Sequence, residues 1–475
     1  MPRDTRRRRA GSTIVEITTY PTAVRYLLER TSVEHMRRIS MKDHPFKLER
    51  MTALLDAIGN PQAATSMIHV AGTVGKGSTV AMTAGMLRGC GLVVGSYTSP
   101  HVEDIRERIT INNECISCDD FQDLATQLSV AVPPLDFEPS FFELITAMAF
   151  QHFAVQAVDI AVIETGLGGR LDCTNVITPE LVLFTTIDID HTHLLGSTVA
   201  EIAREKAGIM KPGVTAISTV QHPEVTEVLR AEAARIGAPL KMLEEDIDFS
   251  YRFGSSDGRR PHAQVSLTTQ TSCFEHVPSP LPGEHQALNC GLALAAVDHL
   301  RGRGQKFDDL AMLAGLERVT LPGRLELVWE EPRILADGAH NAAALASLVR
   351  SLGTQITYDS MICIFGCCED KDIPAMFDQI AMGADKMIFT RARGNARAAD
   401  PEELTQRFAD RTGKDAQHAP NIEAALHLAI KSAQRGDLIC VTGSFYLIGD
   451  LKKFLATKVA TTPTTTATTT ITTTP

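Results

Sequence analysis

The sequence is poor in aromatic residues, which make up 5% of it with a single Trp. Positive charge is also short: 46 Lys and Arg stand against 57 Asp and Glu, for a formal net charge of -11. No basic stripe is available to neutralise a row of phosphates, which argues against nucleic-acid binding. An anionic substrate therefore needs a local cationic pocket. Long apolar runs are missing too, because the richest stretch, residues 141–163, is interrupted by Glu143, His152, Gln156 and Asp159. A membrane span needs roughly 20 uninterrupted apolar residues, so a soluble protein is expected. The basic run at residues 6–9 has no apolar segment behind it and lacks the form of a secretory signal. Ten cysteines are scattered without a disulfide pattern, which points to a reducing, cytoplasmic compartment. Cys115 and Cys118 form a lone pair with no second CxxC to complete a zinc site, and the vicinal Cys367 and Cys368 read as small apolar side chains.

What is present is the composition of an ordinary globular protein, 44% hydrophobic and 22% charged. At 475 residues the chain exceeds the roughly 250 to 300 residues that one core organises, so two domains are expected. Residues 67–71, 92–97, 159–164 and 181–187 read as buried strands separated by helical-period segments, which implies a parallel sheet. A second series at residues 334–336, 361–365, 386–390 and 438–442 follows the Leu321-Pro322-Gly323 break. The fold class expected is α/β, a P-loop ATPase domain with a mostly parallel sheet plus a smaller C-terminal Rossmann-like domain. Residues 20–320 form the first and 321–458 the second, between a basic tail (1–19) and a Thr-rich tail (459–475), both expected to be disordered. Residues 242–282 are polar, irregular and read loosely as β-rich.

The strongest local signal is Gly72-Thr73-Val74-Gly75-Lys76-Gly77-Ser78, lying between a strand and an Ala-rich helix expected to begin near Ser78. Gly72, Gly75 and Gly77 let backbone N–H groups face an anion, Lys76 supplies a point charge, and the helix adds its positive dipole end. The spacing differs from the standard P-loop. Ligands of open parallel sheets sit beyond the carboxyl ends of strands, where Ser99, Glu164, Asp188, Asp190 and His191 fall. Beside a triphosphate such a set suits Mg²⁺; taken singly, each residue also suits a capping role. Thr198 and Glu201 form a capping box that opens a helix over residues 198–210, and Lys206 lies on its apolar stripe. Two readings of Lys206 stand: an ammonium that snorkels or pairs with a neighbour such as Glu205, or a desolvated neutral amine able to react with carbon dioxide.

Further runs share one order along the chain: Tyr97-Thr98-Ser99-Pro100-His101, Phe141-Phe142-Glu143, residues 164–172, Asp190-His191-Thr192, Glu205-Lys206-Ala207-Gly208, Gly283 to Gln286 with Asn289, Pro322-Gly323-Arg324, Asp337 to Asn341, Asp370-Lys371-Asp372 and Val441 to Ser444. The set resembles the folylpolyglutamate synthase and dihydrofolate synthase family of the Mur ligase superfamily, from about residue 20 to 449. The resemblance implies an ADP-forming ligase that joins L-glutamate to a folate or dihydropteroate carboxylate through an acyl phosphate. It further implies that Gly75, Lys76, Gly77 and Ser78 hold the ATP phosphates and that Asn289, Arg324 and Asp337 meet the nucleotide. Ser99, Glu164, His191 and Lys206 would serve two magnesium ions, with Lys206 carbamylated and Lys76, Lys206 and His191 as the catalytic set. His340 falls in a matching motif without a clear role. A monomer is expected, with neither nucleic acid nor membrane as partner. A cell-wall ligase of the same superfamily and an inactive nucleotide-binding homologue are the alternatives. Two positions depart from the family pattern: Val74 stands where Asn is usual, so its backbone must stay out of the left-handed region, and Ala342 stands where Pro is usual.

Overall fold

The computed structural model describes residues 16–31, 47–254 and 262–461. Strands β1 (Ser66–Ala71), β2 (Val94–Tyr97), β3 (Ile109–Ile111), β4 (Glu114–Cys115), β5 (Ile160–Glu164), β6 (Leu181–Phe184), β7 (Ala216–Ser218) and β8 (Leu240–Met242) form one sheet in the order β4-β3-β2-β5-β1-β6-β7-β8. The six strands from β2 to β8 are parallel, and β3 and β4 continue the sheet antiparallel. β1, β5 and β6 are buried on both faces because helices cover both, as in other parallel sheets. One face packs on the helices Lys76–Gly89 and Glu284–Gly302, the other on Cys118–Ala131 and Phe141–Val155.

The region read as β-rich is a three-stranded antiparallel sheet, β9 (Asp248–Gly254), β10 (His262–Thr268) and β11 (Cys273–Pro278). The second large sheet, in the order β12-β13-β17-β14-β15-β16, contains β12 (Glu326–Trp329), β13 (Arg333–Ala336), β14 (Met361–Phe365), β15 (Lys386–Phe389), β16 (Gln417–His418) and β17 (Leu438–Thr442). It is parallel except for β12. Cys367 and Cys368 are buried, and Cys367 joins the core of this domain.

Both expected tails are trimmed by the structure. Ile17 is buried and Thr19 accepts the N–H of Thr22 as a capping box, so residues 17–19, expected within the basic tail, are packed onto the first domain. At the other end the last helix, Phe445–Thr461, runs three residues past the expected limit. Residues 1–15 and 462–475, which hold most of both tails, lie outside the described residues. No helix among the described residues is long and apolar enough to cross a membrane.

One core group makes the fold sensitive to acid. His69 of β1 is fully buried, pairs through Nε2 with Thr174 Oγ1 at 2.9 Å, and leaves Nδ1 without a partner. Burial, with Lys211 adding to it, pushes its pKa down to about 3. An unfolded imidazole titrates near 6.5, so between these values the unfolded chain binds more protons and stability falls as pH falls. The melting temperature is therefore expected to drop between about pH 6.5 and 4, and His69→Gln should flatten that slope. A slope unchanged by the substitution would assign the acid sensitivity to other groups.

Candidate active site

The first parallel sheet delivers β1 into the glycine loop. Gly75, at φ 97°, turns the chain so sharply that the helix starts at Lys76, two residues earlier than expected. Lys76, Gly77 and Ser78 thus occupy its first turn, where backbone N–H groups have no partner within the helix. Their amides and the helix dipole make this end an anion cradle. The Ser78 hydroxyl is buried without a hydrogen-bond partner. Val74 bridges Thr186, whose carbonyl accepts the N–H groups of Thr73 and Val74 at 2.8 and 3.2 Å, so its backbone stays out of the left-handed region as required. A side chain at Gly75 would meet Asn289: an added Cβ would lie 2.2 Å from Asn289 Oδ1. Asn289 itself is buried and donates to Gln286 Oε1 at 3.0 Å.

Glu164, at the end of β5, is buried and accepts the Ser99 N–H at 3.2 Å. Burial raises its pKa and Lys76, with Nζ 3.8 Å from Oε1, opposes the rise. The helix expected over residues 198–210 is shorter, Val199–Ala207, with Thr198 as cap and the Thr198–Glu201 capping box formed. It presents Lys206 inward, and Lys206 Nζ donates to the Gly72 carbonyl at 2.7 Å. Lys76 reaches that same carbonyl at 3.2 Å. Burial first, then the Lys76 charge, bring the Lys206 amine down to about 7, so a substantial share of it is neutral near pH 7. Its partner is a backbone carbonyl and not Glu205, which instead pairs with Arg170.

The second domain closes the cleft from the other side. Asp337 is buried at the end of β13 and accepts the N–H groups of Leu325 and Ala339, each at 2.9 Å. Burial raises its pKa against the opposing charge of Arg324. Arg324 stacks over Phe445 at 4.4 Å. His340, held through Nδ1 to the Gly338 carbonyl at 2.9 Å, is brought down to about 4 by burial and then Lys371.

Of the sequence candidates, Gly75, Lys76, Gly77, Ser78, Ser99, Glu164, His191, Lys206, Arg324 and Asp337 line one cleft, and Asn289 abuts its glycine loop. Asp190 joins them; Asp188 does not, because its backbone pins the loop through Thr73 Oγ1 at 2.9 and 3.0 Å. Sequence reasoning gave no role to Lys371 and Asn341. Lys371 Nζ lies 2.8 Å from Asp190 Oδ1 and 3.4 Å from His191 Nε2, and Asn341 Nδ2 lies 3.0 Å from Asp190 Oδ2. Burial and the Lys371 charge push the His191 pKa well down. The only available signal was that Lys371 sits between two acidic residues in a matching run. A second arm of the cleft is lined by Leu48, Arg50, Phe142, Glu143 and Cys173, of which sequence reasoning placed Phe142 and Glu143 in a matching run without a role; there Arg50 pairs with Glu143 at 3.1 Å and stacks over Phe137 at 4.5 Å.

The geometry has counterparts in known proteins. Residues 323–445 match the family described as Mur ligase, glutamate ligase domain. A dihydrofolate synthase/folylpolyglutamate synthase of Bacillus subtilis is 34% identical over 419 residues, covering 86% of this chain and 94% of the relative. Among solved structures, the folylpolyglutamate synthase of Mycobacterium tuberculosis complexed with ADP and AMPPCP superposes with a TM-score of 0.81 at 32% identity, covering 91% of this chain and 98% of the other. The Escherichia coli protein in complex with DHPP and ADP gives 0.80 at 26% identity, covering 93% and 99%.

Proposed function

The chain belongs to the folylpolyglutamate synthase and dihydrofolate synthase family, and on that premise we propose that its interdomain cleft is where ATP, the acceptor carboxylate and glutamate meet. The protein is an ADP-forming ligase that adds L-glutamate to a folate or dihydropteroate carboxylate. The observation that carries the assignment of the site is the convergence of Lys76, Glu164 and Lys206 around the Gly72 loop, faced by Arg324 and Asp337 of the second domain.

In the mechanism that follows, the N–H groups of Lys76, Gly77 and Ser78 hold the terminal phosphates while the Lys76 ammonium draws charge from the transferring group. Asn289, Arg324 and Asp337 fix the rest of the nucleotide. The acceptor carboxylate oxygen attacks the γ-phosphorus, the bond to the ADP oxygen breaks, and an acyl phosphate forms. The glutamate amine then adds to the acyl carbon and phosphate leaves with its bridging oxygen. No protein nucleophile takes part. The acyl phosphate hydrolyses in water, so the cleft must exclude it.

The side chains fit magnesium: the unpartnered Ser78 hydroxyl, Ser99 and the buried Glu164 carboxylate are hard oxygen donors beside the phosphate cradle, and His191 lines the same cleft. When bound, the cation neutralises phosphate charge. Two ions are proposed, with a carbamate on Lys206 giving the second an added carboxylate-like ligand; the partly neutral amine supports it. A monomer is proposed because one chain supplies both walls of the cleft. A cytoplasmic location is proposed because all ten cysteines are free.

Steady-state assay tests the reading. ADP release should require glutamate and a pterin-bearing carboxylate together, and either substrate alone should give only background. A rate indifferent to both would favour a nucleotide-binding homologue, and dependence on a cell-wall precursor in place of the pterin acid would favour the other ligase class.

A further inference from the structure

The cleft is built from two domains, and beside the Lys371 and Asn341 contacts to Asp190 one helix of the second domain carries a further contact to the first. On Phe445–Thr461, residues Phe445, Gly449 and Lys452 fall at the i, i+4 and i+7 positions and so share one face. Phe445 supports Arg324, whose guanidinium lies 4.4 Å over its ring. One turn on, Gly449 is pressed against the first domain: an added Cβ would lie 2.1 Å from the backbone oxygen of Val102. One turn further, Lys452 spans the domains, with Nζ 3.3 Å from Glu103 of the first and 3.0 Å from Glu326 of the second.

The surface that receives this stripe is stiff. Glu107 accepts the N–H groups of Val102, Glu103 and Asp104 at 2.7, 2.9 and 2.7 Å, so one carboxylate holds the whole turn. Three residues before Val102 in that same loop is Ser99, tied to Glu164 at 3.2 Å. The Val102 carbonyl therefore cannot move aside without disturbing the turn that leads to the site. A larger residue at 449 must instead push the helix, and with it Phe445 and Arg324, outward by about 1 Å to restore an ordinary contact, a displacement large enough to cost catalysis roughly 100-fold in an oriented site.

We propose that Gly449 is a positioning residue for the ligase reaction: its missing side chain seats the second domain on the Val102–Asp104 turn and so sets how Arg324 and Asp337 meet the first-domain site, with Lys452 clasping the seated state. The proposal rests on the functional reading above. It is tested in the full-length enzyme by Gly449→Ala. Turnover should fall roughly 10- to 100-fold and the KM for ATP should rise. The melting temperature should hold, while solution X-ray scattering with a non-hydrolysable ATP analogue and both substrates should show a less compact particle than wild type. Wild-type kinetics in Gly449→Ala, or impaired kinetics with wild-type compactness, would overturn it. Should Gly449→Ala fail to fold, Lys452→Met carries the same test: a smaller loss, stronger at low salt and restored by Lys452→Arg, is expected, and an unaffected rate overturns the clasp. Failure of the wild-type enzyme itself to couple ADP release to both substrates would instead overturn the functional reading.

Discussion

Lys76→Ala lowers turnover by roughly 100- to 1,000-fold while leaving the protein folded, the loss expected when one preorganised charge is removed from a developing anion. The side chain lies at the cleft surface, reaching the Gly72 carbonyl at 3.2 Å and Glu164 at 3.8 Å, and contributes little apolar area to either core. Its removal leaves the loop backbone intact, because Gly72 to Gly75 are held by Thr186, Asp188 and the following helix. Stopped-flow or steady-state ADP release, read beside a thermal melt, checks this. A folded variant with native turnover would place the phosphate elsewhere.

Lys206→Ala should be comparably severe, losing about 100-fold or more in turnover, a loss at the upper end of what removal of groups supporting a metal site costs. Carbamylation joins the neutral amine to carbon dioxide and releases a proton, so it needs the deprotonated form, and the amine reaches that form near pH 7. Activity should therefore decline on acidification below about 7 and recover on addition of bicarbonate. A small carboxylic acid should restore part of the Lys206→Ala activity by filling the vacated space. Lys206→Arg should remain inactive, because a guanidinium stays charged and forms no carbamate. Mass analysis after trapping the adduct under labelled carbon dioxide is the direct check, and native turnover by Lys206→Arg would dismiss the modification.

How far the sequence could be read depended on whether a residue's role was local. That Ser99, Glu164 and His191 fall in the cleft was legible because each lies at or beyond the carboxyl end of a strand whose apolar run is obvious, where ligands gather. Lys206 was legible from the period of its helix, which predicts the buried face it occupies. Strand β6 was drawn too long, to residue 187, because its β-branched run continues past Phe184. There Thr186 turns its carbonyl to the glycine loop instead of to a neighbouring strand. The edge strand β12 was missed because its residues are only half-buried and show no clean alternation. Lys371 pairs with Asp190 across 181 positions of sequence, and Gly449 meets Val102 from another domain. Neither contact has a local pattern; both exist only once the two sheets face each other.

Phosphorylation of the acceptor carboxylate is the step on which the whole mechanism depends. An acceptor labelled with heavy oxygen in its carboxylate tests it most directly, since the bridging oxygen of an acyl phosphate leaves with the phosphate. The inorganic phosphate released during glutamate addition should carry one labelled oxygen from the acceptor for each amide bond formed. Amide product accompanied by unlabelled phosphate would contradict it.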